Sequence, residues 1–165
     1  MIELARPDDA PGVARIINAA YLAGESGIWQ DGWSRTSPEE VAEMIAAGEI
    51  AVARVDGVIA GSVRIRRLDD ETAELGMLSV DPQAFGAGTG RALLTFAEQH
   101  HGTPFMQLEL LVPRGAPHPQ KVRLHEWYSR LGYEWIAQRE FDEPLLTGPV
   151  DMRTYRKSLR AAPAT

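Results

Sequence analysis

The stretch that decides the fold is VDPQAFGAGTGRALLTFAEQ, residues 80–99, which places Gly86, Gly88 and Gly90 at alternate positions between a strand-like and a helix-like segment. One glycine is explained by a turn, but three alternating glycines favour a backbone that approaches a ligand closely. Successive backbone N–H groups at the start of a helix bind anionic oxygens, and the helix dipole adds to the attraction. The segment therefore predicts a phosphate or pyrophosphate site.

Two common glycine motifs fit this segment poorly. A P-loop requires Lys and then Ser or Thr after its last glycine, whereas Gly90 is followed by Arg91 and Ala92. A dinucleotide fingerprint needs a small residue at position 91, where this chain has Arg91, and it normally follows the first strand of a parallel unit. In its favour, Glu109 lies at about the spacing of the acid that binds the ribose. The P-loop is excluded and the dinucleotide site is disfavoured.

The composition sets limits on the class of protein. A chain of 165 residues is the size of one domain, and we assign residues 1–160 to it and residues 161–165 to a frayed tail. The net charge of -6 argues against a nucleic-acid partner, and the absence of cysteine excludes a cysteinyl intermediate. With no signal-like N-terminus and no apolar run near the roughly 20 residues of a membrane span, we expect a cytoplasmic protein without a membrane partner. The four histidines are poorly placed for a metal site, so none is expected.

Hydrophobic periodicity predicts an α/β (α+β) fold with the order strand, two helices, three strands, helix, strand, helix, two strands. Ser37 and Pro38 are typical of a helix start, and Asp56-Gly57 between two apolar runs predicts a tight hairpin. The strand before the glycines spans residues 72–80, and the next strand spans 104–112. The helix after the glycines is expected to bury three residues: Leu93, Leu94 and Ala97.

The segments LSVDP and FGAGTGRALL, followed downstream by WYSRLGY, resemble the GNAT superfamily of acyl-CoA-dependent N-acyltransferases over most of the chain. The resemblance implies a strongly twisted mixed sheet of about seven strands with four helices. Its fourth and fifth strands splay apart, the pantetheine of acetyl-CoA lies between them, and the pyrophosphate lies on the glycine segment. Phe85 stands where the family usually has Gln or Arg, and Lys121 stands where Asn is common and could reach a cofactor phosphate. The implied cofactor-binding residues are Leu78, Ser79, Val80, Phe85, Gly86, Ala87, Gly88, Thr89, Gly90, Arg91 and Lys121.

The resemblance also implies the chemistry, an N-acetyl transfer by direct attack of an amine on bound acetyl-CoA. Tyr128 of WYSRLGY would be the general acid near the cofactor sulfur, although its place on an apolar helix face equally suits a core residue. Glu74 and Glu109 lie inside strands, where a charge must be paired or used. Each is a candidate general base, and a salt bridge to Arg64 or Arg66 is the other interpretation.

The acceptor site is implied between the first two helices, where Trp29 and Trp33 flank Asp31. Aromatic faces and a carboxylate suit an ammonium or an aromatic amine, while two tryptophans covering the core edge explain the pattern equally well. The acceptor is expected to be a small-molecule or peptide amine, and a homodimer is plausible. Two alternatives stay open: a non-catalytic acyl-CoA-binding sensor or interaction domain, and a nucleotide-binding regulatory domain.

Overall fold

A computed structural model describes residues 1–84 and 88–160, so Phe85, Gly86, Ala87 and the tail 161–165 lie outside the described residues. The element order is the predicted one, and the strand expected at 104–112 lies one residue later. The elements are β1 (Ile2–Leu4), α1 (Ala10–Gly24), α2 (Pro38–Ala46), β2 (Ile50–Val55), β3 (Val58–Arg67), β4 (Thr72–Val80), α3 (Thr89–His100), β5 (Phe105–Pro113), α4 (Pro119–Arg130), β6 (Glu134–Phe141) and β7 (Val150–Ser158).

The seven strands form one mixed sheet in the order β1-β2-β3-β4-β5-β7-β6. Every neighbouring pair is antiparallel except β4 and β5, which are parallel. Their pairing joins Thr72–Glu74 to Phe105–Gln107 and does not continue along the rest of β4. The two strands therefore separate towards their carboxyl ends, as the sequence resemblance implies.

The β2–β3 hairpin turns at Asp56 and Gly57, which have φ angles of 52° and 78°. Two consecutive residues with positive φ are characteristic of a type I′ turn, whose twist matches that of the flanking strands. The hairpin prediction is confirmed. It sets the antiparallel register that carries the chain from β2 through β3 into β4.

Apolar side chains fill both faces of the sheet. One cluster packs α3 and α4 on one face, and the predicted residues Leu93, Leu94 and Ala97 are all buried within it. The other cluster packs α1 and α2 on the opposite face and includes Val13, Val41 and other buried aliphatic residues. The helices are thereby fixed on both sides of the point where β4 and β5 separate.

Ser37 caps α2, because its side-chain oxygen accepts a hydrogen bond from the backbone N–H of Glu40 at 3.2 Å. A Ser37→Ala variant leaves that N–H without its protein acceptor and should lower the free energy of unfolding by about 1 kcal/mol. Chemical denaturation checks this value. Because Glu39 is exposed in the first turn and does not cap, Glu39→Gln is the matched control, with a smaller expected change from the helix dipole alone. Equal stability of the Ser37→Ala variant and the wild type would contradict the cap.

Candidate active site

A cleft of about 1630 Å³ opens where β4 and β5 separate. At one end it is lined by the start of α3, and at the other end by the last turn of α1 and the segment that follows it. Residues of α4 line the side between these ends. The separation of the strands thus joins the glycine segment to the predicted acceptor segment in one continuous cleft.

A bulge in β4 shapes the floor of the cleft. Between the pairs Ser62↔Ser79 and Arg64↔Gly76, β4 contains one residue more than β3. The extra residue coincides with Met77, whose φ is 51°, and bulges of this kind redirect the strand backbone. Because β5 does not pair with this part of β4, the backbone at Met77 and Leu78 borders the cleft.

Side chains of β4 do not all point into the cleft. Leu78 and Val80 line it, in agreement with their predicted place. Ser79, which was also expected to contact the cofactor, is 1% exposed and its hydroxyl donates to the carbonyl oxygen of Met77 at 3.0 Å. Alternation along the strand therefore turns the Ser79 side chain away from the cleft, so its predicted contact with the cofactor would have to come from its backbone.

Gly88 to Arg91 form the glycine end of the cleft. Gly88 is the N-cap of α3 with a φ of 76°, a conformation that costs any residue with a Cβ about 1–2 kcal/mol. The first helical bond at this end runs from the N–H of Ala92 to the carbonyl of Gly88, at 3.1 Å. The N–H groups of Thr89, Gly90 and Arg91 precede it and have no acceptor within the helix.

The glycines of this segment differ in what the structure requires of them. Gly88 meets a backbone requirement, and the space around its missing Cβ is open. A Cβ on Gly90 would lie 3.5 Å from Cγ2 of Val80 and 4.0 Å from the Trp127 ring, which are ordinary contacts. Gly86, with Phe85 and Ala87, lies outside the described residues.

The arginines that line the cleft include Arg91 of α3, and Arg123 and Arg130 of α4. None of these three belongs to an ion pair within the part of the chain that the structure describes. The sequence interpretation named only Arg91. The spacing of seven residues between Arg123 and Arg130 places them on one face of α4. This spacing is the sequence feature that could have identified them as cleft residues.

Lys121 has a different environment from the one expected. It is 5% exposed, and its Nζ lies 2.6 Å from Oε2 of Glu25. It lines the cleft, and its charge is paired with a carboxylate from the segment that follows α1. Its contact with a cofactor phosphate stays a prediction.

Tyr128 lies at the boundary between the core and the cleft. It is 7% exposed and packs in the core cluster with Tyr133 and Tyr155, yet it also lines the cleft. Burial raises the pKa of its phenol far above the usual value, and the nearby Tyr21 adds to the increase. The phenol is therefore protonated at neutral pH, the state required of a proton donor.

Both candidate bases line the cleft and both are paired. Oε1 of Glu74 lies 2.9 Å from an Arg66 guanidinium nitrogen, the partner anticipated from the neighbouring strand. Oε2 of Glu109 lies 3.0 Å from Arg139 of β6. The Glu74 side chain is 15% exposed and that of Glu109 is 31% exposed, so Glu74 is the more enclosed carboxylate.

Aromatic rings line the end of the cleft where the acceptor is predicted to bind, called the acceptor end below. Trp29 and Trp33 stack with ring centroids 4.2 Å apart, and both line the cleft. Tyr21, which the sequence interpretation did not single out, also lines it, and burial raises the pKa of its phenol. Asp31 is exposed and is not among the residues that line the cleft, so its role in acceptor binding stays a prediction.

Within residues 1–84 and 88–160, no group of three or more His, Asp or Glu side chains is arranged to hold a metal ion. The described helices include none with the length and apolar character needed to cross a membrane.

Comparison with known proteins gives a family for this geometry. Residues 46–135 match the model of the acetyltransferase (GNAT) domain. No curated protein sequence matches the chain significantly. Solved structures share its fold at low sequence identity. YncA of Salmonella typhimurium, solved with acetyl-CoA, is 22% identical with a TM-score of 0.70, covering 99% of this chain and 96% of its own.

Two further similar structures come from other organisms. PaiA N-acetyltransferase of Thermoplasma acidophilum, in complex with coenzyme A, is 18% identical with a TM-score of 0.72, covering 96% of this chain and 98% of its own. The ribosomal-protein-S18-alanine N-acetyltransferase of Escherichia coli is 19% identical with a TM-score of 0.68, covering 98% of this chain and 95% of its own.

Proposed function

Because the chain belongs to the GNAT family of acyl-CoA-dependent acetyltransferases, we propose that it transfers an acetyl group from acetyl-CoA to the amine of an acceptor by direct attack in a ternary complex. The observation that carries this proposal is the continuous cleft that connects the start of α3 to the aromatic acceptor end. Direct attack requires acetyl-CoA and the acceptor amine to occupy this one cleft together. The proposed catalytic unit is a single domain of residues 1–160.

The glycine end is proposed to bind the pyrophosphate of acetyl-CoA. The N–H groups of Thr89, Gly90 and Arg91, which have no acceptor within α3, lie at the positive end of its dipole, and this favours anionic oxygens. Arg91, Arg123 and Arg130 add positive charge to the lining of the cleft. This arrangement suits a polyanionic cofactor in a protein whose net charge is -6.

The thioester is proposed to lie at the β4 bulge. Negative charge develops on the carbonyl oxygen as the amine attacks, and backbone N–H groups near Leu78 would stabilise that charge. The bulge supports this placement because it lies at Met77, in the part of β4 that β5 does not pair with. A rigid strand supplies donors that need no rearrangement during the reaction.

Tyr128 is proposed to donate the proton that the departing thiolate requires. A phenol with a raised pKa keeps its proton at neutral pH, so it is in the form that can donate to the departing thiolate. Phe85, Gly86 and Ala87 remain proposed cofactor contacts by resemblance and lie outside the described residues.

Glu74 is proposed as the group that accepts the proton from the acceptor amine, directly or through a water molecule. A Glu74→Gln variant should lower kcat/KM for the amine at least about tenfold. This effect is smaller than is usual for removal of a general base, because water can accept the proton in part. Glu109→Gln is the matched control, since Glu109 also lines the cleft and pairs with an arginine but is more exposed. Steady-state kinetics over a pH range checks this. A larger loss in Glu109→Gln than in Glu74→Gln would assign the base to Glu109.

The experiment that tests the function is thiol release from acetyl-CoA over a panel of small amines and peptide N-termini. Because the chain has no cysteine, a thiol-reactive dye reports only the released coenzyme A. Amine-dependent release supports the proposal and identifies the acceptor class. Binding of acetyl-CoA by calorimetry without release for any amine would favour the sensor alternative. Competition by ADP equal to that by coenzyme A would favour a nucleotide-binding domain.

A further inference from the structure

A buried ion pair joins the segment that follows α1 to α4. Nζ of Lys121 lies 2.6 Å from Oε2 of Glu25, and both side chains are 6% exposed. The two residues are 96 positions apart in the chain. Removing two charges from water costs solvation free energy that the pair recovers only with close geometry and additional hydrogen bonds.

The second oxygen of the Glu25 carboxylate has its own partner. The indole Nε1 of Trp29 donates to Oε1 of Glu25 at 2.8 Å. Trp29 in turn stacks on Trp33, with ring planes 4° apart. One carboxylate therefore holds the indole wall of the acceptor end with one oxygen and α4 with the other.

Another contact ties the same two segments together. Nε2 of His118, the N-cap of α4, lies 2.8 Å from the carbonyl oxygen of Ser26. The far side of the wall is held separately, because the N–H of Gln30 donates to the carbonyl of Leu145 at 2.7 Å. The segment that carries Trp29 and Trp33 is thus held to α4 through Glu25 and the Ser26–His118 contact, and to the segment before β7 through Gln30.

Lys121 and Tyr128 are seven residues apart on α4, and both line the cleft. Seven residues are close to two helical turns, so the two side chains leave the helix on the same face. An ion pair that fixes the position of Lys121 therefore also fixes the position of Tyr128 relative to the acceptor wall formed by Trp29 and Trp33.

We propose that Glu25 and Lys121 form a positioning pair that sets the distance between the acceptor wall and the helix carrying the general acid. This inference rests on the proposed function of Tyr128 and of the acceptor end. The pair orients the amine against the thioester and does not itself contact coenzyme A. Its loss should therefore affect the amine more than the cofactor.

The test uses the double variant Glu25→Gln/Lys121→Met in the full chain. Both charges are removed together because a single replacement would leave the other charge buried and unpaired, which threatens folding. We expect KM for the amine to rise about tenfold and kcat to fall. The fall in rate should be smaller than the loss that a misplacement of about 1 Å between reacting groups can cause. The Kd for acetyl-CoA, measured by calorimetry, should stay within about twofold of the wild type, since a tenfold change would require a lost contact.

The chain offers a matched control in the pair of Arg54 and Asp9. These side chains also lie 2.6 Å apart, each 11% exposed, and neither is among the residues that line the cleft. The double variant Asp9→Asn/Arg54→Met should keep the wild-type KM for both substrates. Kinetics of the Glu25→Gln/Lys121→Met variant equal to those of this control would overturn the proposal. A selective loss of acetyl-CoA affinity would also overturn it, because Lys121 would then be a phosphate ligand.

A spectroscopic measurement separates this inference from the function on which it rests. Only four tryptophans occur in the chain, and two of them form the stacked wall. Near-ultraviolet circular dichroism should therefore change in the Glu25→Gln/Lys121→Met variant and not in the control. Failure of the wild type to acetylate any amine would contradict the proposed function, and an unchanged dichroism spectrum would by itself contradict the positioning pair.

Discussion

A Gly88→Glu variant should lose more than about a hundredfold in affinity for coenzyme A, the largest effect that we expect from a single substitution. A glutamate side chain would add a negative charge at the N-terminus of α3, where the pyrophosphate is proposed to bind. The space around the missing Cβ of Gly88 is open and faces the cleft. The new side chain would therefore compete with the phosphates for the same N–H groups. Calorimetric titration with coenzyme A measures the loss.

Gly88→Asn is the matched control for this prediction. Gly88 has a φ of 76°, and asparagine tolerates this left-handed conformation better than other residues with a Cβ. It adds a side chain of similar size without a charge, so we expect a much smaller loss of affinity. Thermal denaturation of both variants establishes that each is folded. If a folded Gly88→Glu variant binds coenzyme A as tightly as the wild type, the pyrophosphate does not lie at the start of α3.

A Tyr128→Phe variant should lower kcat about a hundredfold, the lower end of the range for removal of a general acid. Only the hydroxyl is removed, and the ring continues to fill its place beside Tyr133 and Tyr155. The Kd for acetyl-CoA should therefore remain close to the wild-type value. A fall in kcat with unchanged cofactor affinity is expected of a group that acts in the transition state.

The pH dependence adds a second check on Tyr128. Burial raises the pKa of its phenol above the ordinary value of about 10, so the proton donor stays protonated throughout the neutral and mildly alkaline range. The wild-type kcat should consequently show no fall assignable to Tyr128 as the pH rises to about 10. A decline in kcat near pH 8 that disappears in Tyr128→Phe would contradict the raised pKa.

Tyr133→Phe is the control for the hydroxyl itself. Tyr133 is also buried, lies beside Tyr128 and donates its hydroxyl proton to Glu98 at 2.8 Å, but it does not line the cleft. Its loss should lower stability by about 1 kcal/mol and leave kcat unchanged. An equal fall in kcat for both variants would show that Tyr128 acts through core packing and not as an acid.

The local features of the chain were predictable because their causes lie within a few residues. Asp56-Gly57 specifies a primed turn through its backbone preferences, and Ser37 specifies a helix start through one oxygen. The buried face of α3 follows from a period of about 3.6 residues. The resemblance of the glycine segment and WYSRLGY to the GNAT family then supplied the arrangement of these elements, which periodicity alone does not determine.

The partners of charged residues were less predictable. Glu74 pairs with Arg66, which the adjacent strand made a natural expectation, but Glu109 pairs with Arg139 from a strand that follows much later. Asp31 and Ser79 are close in sequence to residues that line the cleft, but neither of them lines it. Side-chain direction at a loop or beside a bulge depends on backbone geometry that the residue type does not encode.

The sequence by itself determined the order of the elements, the hairpin, the helix cap and the family, because these depend on short-range preferences and on recognisable motifs. Only the tertiary structure decided that β4 bulges at Met77, that β5 leaves it after three pairs, and that Lys121 meets Glu25 instead of standing free. Residues 96 positions apart become neighbours only when the whole chain packs. The free energy of a buried charge then depends on which partner the packing brings within reach.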